Sequence, residues 1–177
     1  MKTLVISYSY TGNNEKLAKK IAQQLKAELT ILKDMKKRTV FTILFDVLFN
    51  RIPRMEKTEK QINDYEHLVF VAPVWFGKIA SPLRTSFKQI KGMPKNCSLV
   101  TLSAGADGKN QNLENEFIKR TGLKPGAVIN PLISELFPDG QKPDRKELDA
   151  YRLSEKDAAT IVKKIINELN QKQDILN

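Results

Sequence analysis

Apolar positions along the chain fall into two alternating kinds of segment. Residues 3–8, 29–32, 68–72, 98–102 and 127–129 are short aliphatic and β-branched runs, the length and composition of buried strands. Between them, apolar residues recur every three or four positions. Leu17, Ala18, Ile21, Ala22 and Leu25 predict a helix over 16–26, and Leu83, Phe87 and Ile90 a second. Ser81-Pro82 offers the second helix an N-cap followed by proline at the first helical position. A third starts near Asn112, carries Glu114 and Glu116 in its first turns and stops at Gly122, with Pro125 beyond. The last is marked by a capping box, Ser154-x-x-Asp157, before Ala158, Ile161, Val162, Ile165, Ile166 and Leu169 on one stripe. Pro131 ends the fifth strand, and Pro138-Asp139-Gly140 predicts a turn.

Strands alternating with amphipathic helices predict a doubly wound α/β sandwich of parallel strands with helices on both faces. In such sheets ligands bind beyond the carboxyl ends of the strands, where the strand order reverses. After the first strand comes Ser9-Tyr10-Thr11-Gly12-Asn13-Asn14, rich in hydroxyl and amide donors and placed at a helix start. Backbone N–H groups and the positive end of the helix dipole make that a phosphate site without lysine, or an ordinary capped turn. After the third comes Pro73-Val74-Trp75-Phe76-Gly77, with the only tryptophan. Its aromatic pair is a stacking surface for a planar heterocycle or a lid on the core. After the fourth comes Ser103-Ala104-Gly105-Ala106-Asp107-Gly108, either a tight turn or a loop whose glycines admit a close ligand.

Taken in this order, the three loops resemble those of flavodoxin-like FMN-binding proteins. Their phosphate loop, hydroxyl-x-Thr-Gly-Asn-Thr, is matched from Ser9 to Asn13, with Asn14 in place of the final threonine. Pro73-Val74-Trp75-Phe76-Gly77 is similar to the family's Pro-x-Trp-x-Gly flavin loop. The resemblance implies a three-layer fold with a five-stranded parallel sheet in the order 2-1-3-4-5, binding FMN noncovalently. The phosphate would lie on Ser9, Tyr10, Thr11, Gly12, Asn13 and Asn14. The ring would lie between Pro73, Val74, Trp75, Phe76 and Gly77 on one side and Ser103, Ala104, Gly105, Asp107 and Gly108 on the other. The expected function is an FMN-dependent oxidoreductase, taking electrons from a nicotinamide nucleotide, which the basic surface favours, and reducing a quinone or similar acceptor. A small electron carrier docking onto a protein partner, or a non-catalytic module binding an anionic partner, remain as alternatives.

Composition narrows this further. The 177 residues predict one domain, 41% hydrophobic and 28% charged, with no repeat. Met1-Lys2-Thr3 leads straight into a strand, which predicts no leader, and no apolar run reaches a membrane span. One cysteine, Cys97, and one histidine, His67, predict a reducing cytoplasmic compartment without a disulfide or metal site. Neither they nor Asp107 supply a convincing nucleophile or general base, so no catalytic side chain is expected. The net charge of +10 favours anionic partners. Dispersed Lys and Arg with no recognition motif argue against specific nucleic acid.

Residues 35–58 stand apart as an addition to the minimal fold. Phe41, Leu44, Phe45 and Leu48 share one helical face, widened by Val40, Ile43, Val47 and Phe49, with Lys36, Lys37, Arg38 and Arg54 around it and Pro53 ending it. The pattern predicts a helix packed on the sheet edge or on a homodimer partner. The sharper alternative is contact with a membrane surface or a hydrophobic substrate such as a quinone.

Overall fold

A computed structural model of the protein describes residues 1–106, 108–138, 141 and 143–174; Asp107 and the Asp139-Gly140 part of the expected turn lie outside the described residues. In chain order the elements are β1 (Thr3–Ser7), α1 (Asn13–Gln24), β2 (Glu28–Ile31), α2 (Val40–Leu48) and β3 (His67–Val71). Two short strands follow, β4 (Val74–Trp75) and β5 (Lys78–Ile79), then α3 (Arg84–Ile90), β6 (Asn96–Val100) and α4 (Leu113–Thr121). The chain closes with β7 (Ala127–Ile129), α5 (Arg145–Ala150) and α6 (Glu155–Asp174).

Five strands form one parallel sheet in the order β2-β1-β3-β6-β7, the expected 2-1-3-4-5 arrangement. Alternation along β1 sends Val5 to one face and Leu4 and Ile6 to the other. On the first face Val5, Val69 and Val100 pack against α1 and α6 through Leu17, Ile21, Ile161 and Ile165. On the second, Phe70, Phe87 and Phe117 meet with ring centroids 5.1–5.8 Å apart, fastening α3 and α4 to the sheet. The order reverses at β1 and β3, whose ends are level at Ser7 and Val71. The loops after β1, β3 and β6 therefore share one edge.

Several elements differ from their expected form. Helix α1 begins at Asn13, so its first turn is part of the loop. Ser81 opens a short 3-10 turn, Ser81–Leu83, but its hydroxyl donates to Asp46 Oδ2 (3.2 Å) instead of capping a helix. Helix α5 was not anticipated, although Asp144-x-x-Glu147 is a capping box and forms one. The Ser154–Asp157 box does cap α6 as expected.

Helix α2 is capped by Thr39 and Thr42, and only Ile43 and Asp46 on it are buried. It is held by polar anchors. Asp46 Oδ2 accepts from Arg38 and Ser81, and the Asp46 carbonyl accepts from Arg84 Nη1 at 2.7 Å. Arg38 also clasps Asp34, which accepts from Tyr8 Oη at 2.7 Å. Burial works against the Arg38 charge, but the bonds to Asp34 and Asp46 outweigh it and raise its pKa. The apolar stripe faces away from these anchors: Phe41 is 76% exposed and Leu48 69%. The expected packing of this face on the sheet edge is thus not what the chain adopts.

Candidate functional site

The first loop leaves β1 and turns into α1 at Gly12, whose φ of +91° is the reason for glycine there, since an added Cβ would meet nothing within 4 Å. The Gly12 N–H donates to Ser9 Oγ (3.0 Å). The first intrahelical bond is Lys16 N–H to Gly12 O, so the N–H groups of Asn13, Asn14 and Glu15 precede it. Tyr10, Thr11 and Gly12 are exposed around that helix end. The side chains of Asn13 and Asn14 point elsewhere and are buried. Asn13 donates to Tyr151 O (2.9 Å) and accepts from Leu153 N–H; Asn14 donates to Leu102 O (3.1 Å) and accepts from Leu102 N–H (3.2 Å). These amides hold the loop in place. The donors they leave for an anion are backbone N–H groups and the Ser9 and Thr11 hydroxyls.

The second loop is a hairpin rather than an irregular loop. Val74 pairs with Ile79 and Trp75 with Lys78, leaving Phe76 and Gly77 as a two-residue turn with φ of +49° and +71°. Two left-handed residues suit the twist of the hairpin, but a phenylalanine in that region costs about 1 kcal/mol or more. Phe76 is also 63% exposed. Trp75 meets Tyr8 (5.5 Å, 84°) and Tyr10 (6.3 Å, 88°) edge to face, with the Arg38 guanidinium 5.7 Å from its ring centre. Pro73 closes the base by accepting from Ala80 N–H.

The third loop extends β6 past its end. The Ser103 carbonyl accepts from Ile133 N–H and the Ala104 carbonyl from Ser134 N–H. A Cβ on Gly105 (φ +86°) would run into Ser134 Oγ and Leu132 Cβ, so here glycine serves the chain's own close approach. Gly108, at φ +76°, faces open space. Two asparagines not singled out in the sequence brace this region. Asn130 Nδ2 donates to Thr101 O (2.7 Å) and Ser103 Oγ (3.1 Å), and its Oδ1 accepts from Asn110 N–H. Asn110 Nδ2 donates to Gly77 O at 2.7 Å. Asn14 therefore ties the first loop to the third, Asn110 ties the third to the second, and Tyr10 meets Trp75 between the first and second. The sequence does not place Tyr8, Asp34 and Arg38 at this site, because only the fold brings them to the hairpin.

The remaining candidates lie away from this edge or are inert. His67, at the start of β3, is buried beside Ser98 Oγ (3.0 Å), and burial pushes its pKa down to about 4. Burial pushes the Cys97 thiol up to about 12, so it is a core group and not a nucleophile.

NADPH-dependent FMN reductases match residues 1–110, the part that contains all three loops. The chain belongs to this family. A flavoprotein from Lactobacillus acidophilus, solved in complex with FMN, is 26% identical with a TM-score of 0.64, covering 73% of this chain and 92% of its own. A Bacteroides eggerthii protein described as a flavoprotein is 17% identical with a TM-score of 0.61, covering 84% and 94%. No curated protein matches the sequence. The family member is thus an FMN-dependent oxidoreductase of flavodoxin-like fold, and its own residues fit that group. A helix end whose first-turn N–H groups precede the first intrahelical bond, with open space at Gly12, suits a phosphate; the strained, exposed Phe76 beside Trp75 suits a ring.

A groove of about 730 Å³ runs from the hairpin at Gly77 between α3 and α4 to the end of α2. Among the described residues, Lys78, Arg84, Lys88, Lys91, Lys119 and Arg120 line it with a single carboxylate, Glu116. That carboxylate is already engaged by the Ile79 N–H (2.7 Å) and Arg120 Nε (2.8 Å). Arg84 is buried and its Nε has no hydrogen-bond partner among the described residues. The groove therefore presents a net positive charge next to the candidate ring site.

Proposed function

We propose that this protein oxidises NADPH or NADH and passes the electrons through FMN to a small acceptor. The FMN phosphate rests on Ser9 to Asn14, and the ring lies between Pro73 to Gly77 and Ser103 to Gly108. The observation that carries this is the gathering of three cross-braced loops at the β1–β3 reversal, with a helix N-terminus on one and an exposed aromatic on another. Bound FMN supplies one- and two-electron chemistry. The chain's own part is to hold it. The first-turn N–H groups and the Thr11 hydroxyl bind the phosphate, Trp75 and Phe76 cover the ring, and the basic groove attracts the phosphates of the nucleotide. The whole chain, with residues 35–58 added, acts as one FMN-binding unit.

NADPH oxidation by the purified FMN-loaded protein, without an added reductase, tests the activity. Reduction only through a separate reductase would make it an electron carrier instead. Replacing Thr11 by Val should cost about 1.5–3 kcal/mol of FMN affinity, and riboflavin should bind far more weakly than FMN. Equal calorimetric affinity for FMN and riboflavin would exclude the phosphate assignment. Lys88→Glu with Lys119→Glu should raise KM for the nucleotide while leaving FMN affinity unchanged.

A further inference from the structure

We propose that α2 is an interfacial anchor that seats this protein on an anionic lipid bilayer. Of the nine residues of α2 only Ile43 and Asp46 are buried. Val40, Phe41, Leu44, Phe45 and Leu48 are exposed, and Phe49 and Ile52 continue the surface beyond the helix, at 43–76% exposure each. Phe45 and Phe49 stack on one another (5.6 Å, 14°) at the solvent face. An apolar patch of this kind, concentrated on one short helix, marks a contact surface.

Polar bonds set the orientation of the helix. Its one charged residue, Asp46, is drawn into the fold by Arg38 and Ser81, and its carbonyl by Arg84. Fixing Asp46 inward fixes Phe41, Phe45 and Leu48 outward.

Charge selects the occupant. Exposed Lys36 and Lys37 precede the helix, and exposed Arg51, Arg54 and Lys57 follow it; Glu56 is the exposed acid of residues 35–58. A two-fold contact through this face would set the same basic residues of two copies around one patch, on a chain of net charge +10. An anionic bilayer meets both parts of the surface: headgroups pair with the basic rim while the aromatic and aliphatic side chains enter the acyl boundary. Nine residues are too few to span, and among the described residues no helix is long and apolar enough to cross a membrane. The contact is therefore peripheral and sensitive to salt.

Sedimentation of the FMN-loaded protein with vesicles tests this without reference to turnover. Vesicles of phosphatidylcholine mixed with phosphatidylglycerol should bind at least about tenfold more tightly than phosphatidylcholine alone, and the preference should shrink as salt rises. Phe41→Ser with Phe45→Ser and Leu48→Ser should lower binding about tenfold or more. Because these residues are exposed, that variant should keep the parent's thermal midpoint. Lys36→Glu with Lys37→Glu should remove the anionic preference. Three results would overturn the proposal: no sedimentation of the parent with either vesicle, a serine variant that binds like the parent, or a parent dimer that the serine variant abolishes while neither protein binds lipid.

Discussion

Helices α6 and α2 both announce themselves by an apolar stripe at helical spacing, yet the fold uses the stripes in opposite ways. In α6, Ala158, Ile161, Val162, Ile165 and Leu169 are all buried against α1 and the sheet. In α2, Phe41, Leu44, Phe45 and Leu48 face outward. The stripes do not differ in strength; the polar residues beside them differ in use. The polar face of α6 carries Lys163 and Lys164, which are exposed, whereas α2 carries Asp46, which the fold binds on its inner side. Periodicity identifies a helix face, and the bonding of its polar neighbours decides which way that face turns.

The sharpest way to break this contrast is to truncate each stripe. Ile165→Ala should cost about 2–5 kcal/mol in a urea titration, since it removes packed atoms and leaves a cavity. Leu48→Ala should stay within about 0.5 kcal/mol of the parent. Equal losses would mean that α2 is covered in solution.

Acid tests the buried side of the comparison. His67 is held neutral by burial, with its pKa pushed down to about 4 from the ordinary 6.5. Above pH 6.5 neither folded nor unfolded chain is protonated there, so nothing is lost. As pH falls from 6.5 to 4, the unfolded chain takes up the proton first, and stability should fall by about 3 kcal/mol. Denaturation of parent and His67→Gln across that range isolates the effect; parallel curves would show that His67 does not set it.

Smaller effects concern the anchors. Asp46→Asn removes the charge that Arg38 and Ser81 meet and should cost about 1.5–3 kcal/mol, with proteolysis in residues 35–58 rising more than elsewhere. Phe76→Asn, at a left-handed position that asparagine tolerates better, should change stability by at most about 1 kcal/mol in the stabilising direction. The same change should weaken FMN binding, so gain and loss separate structure from use. A stabilised variant with parental FMN affinity would remove Phe76 from the site.

Much of the fold was legible because its signals are local. Strands β1 and β7, the capping box of α6 and the Gly122 stop of α4 each rest on residues close in sequence. The loops after β1 and β3 stood out as compositions after strands. What was not legible depends on distant partners. Nothing near Asn13 or Asn14 says that their amides bond Tyr151, Leu153 and Leu102. Nothing near Asn110 says that it holds Gly77. Helix α5 is the exception, since Asp144 and Glu147 stood in a recognisable box.

The paired bonds between Asn14 and Leu102 join the first turn of α1 to the chain leaving β6, across 88 positions of sequence. An amide that both donates to and accepts from one residue acts as a rung of sheet made from a side chain. The two loops are then registered with one another in the fold itself, so capture at the proposed site should need little ordering, with a correspondingly small entropic cost. Association should be a single fast phase, and the Leu102 amide should exchange its hydrogen slowly even in the ligand-free protein. In Asn14→Ala that amide should exchange freely, and ligand capture should acquire a slow step as the loops find each other.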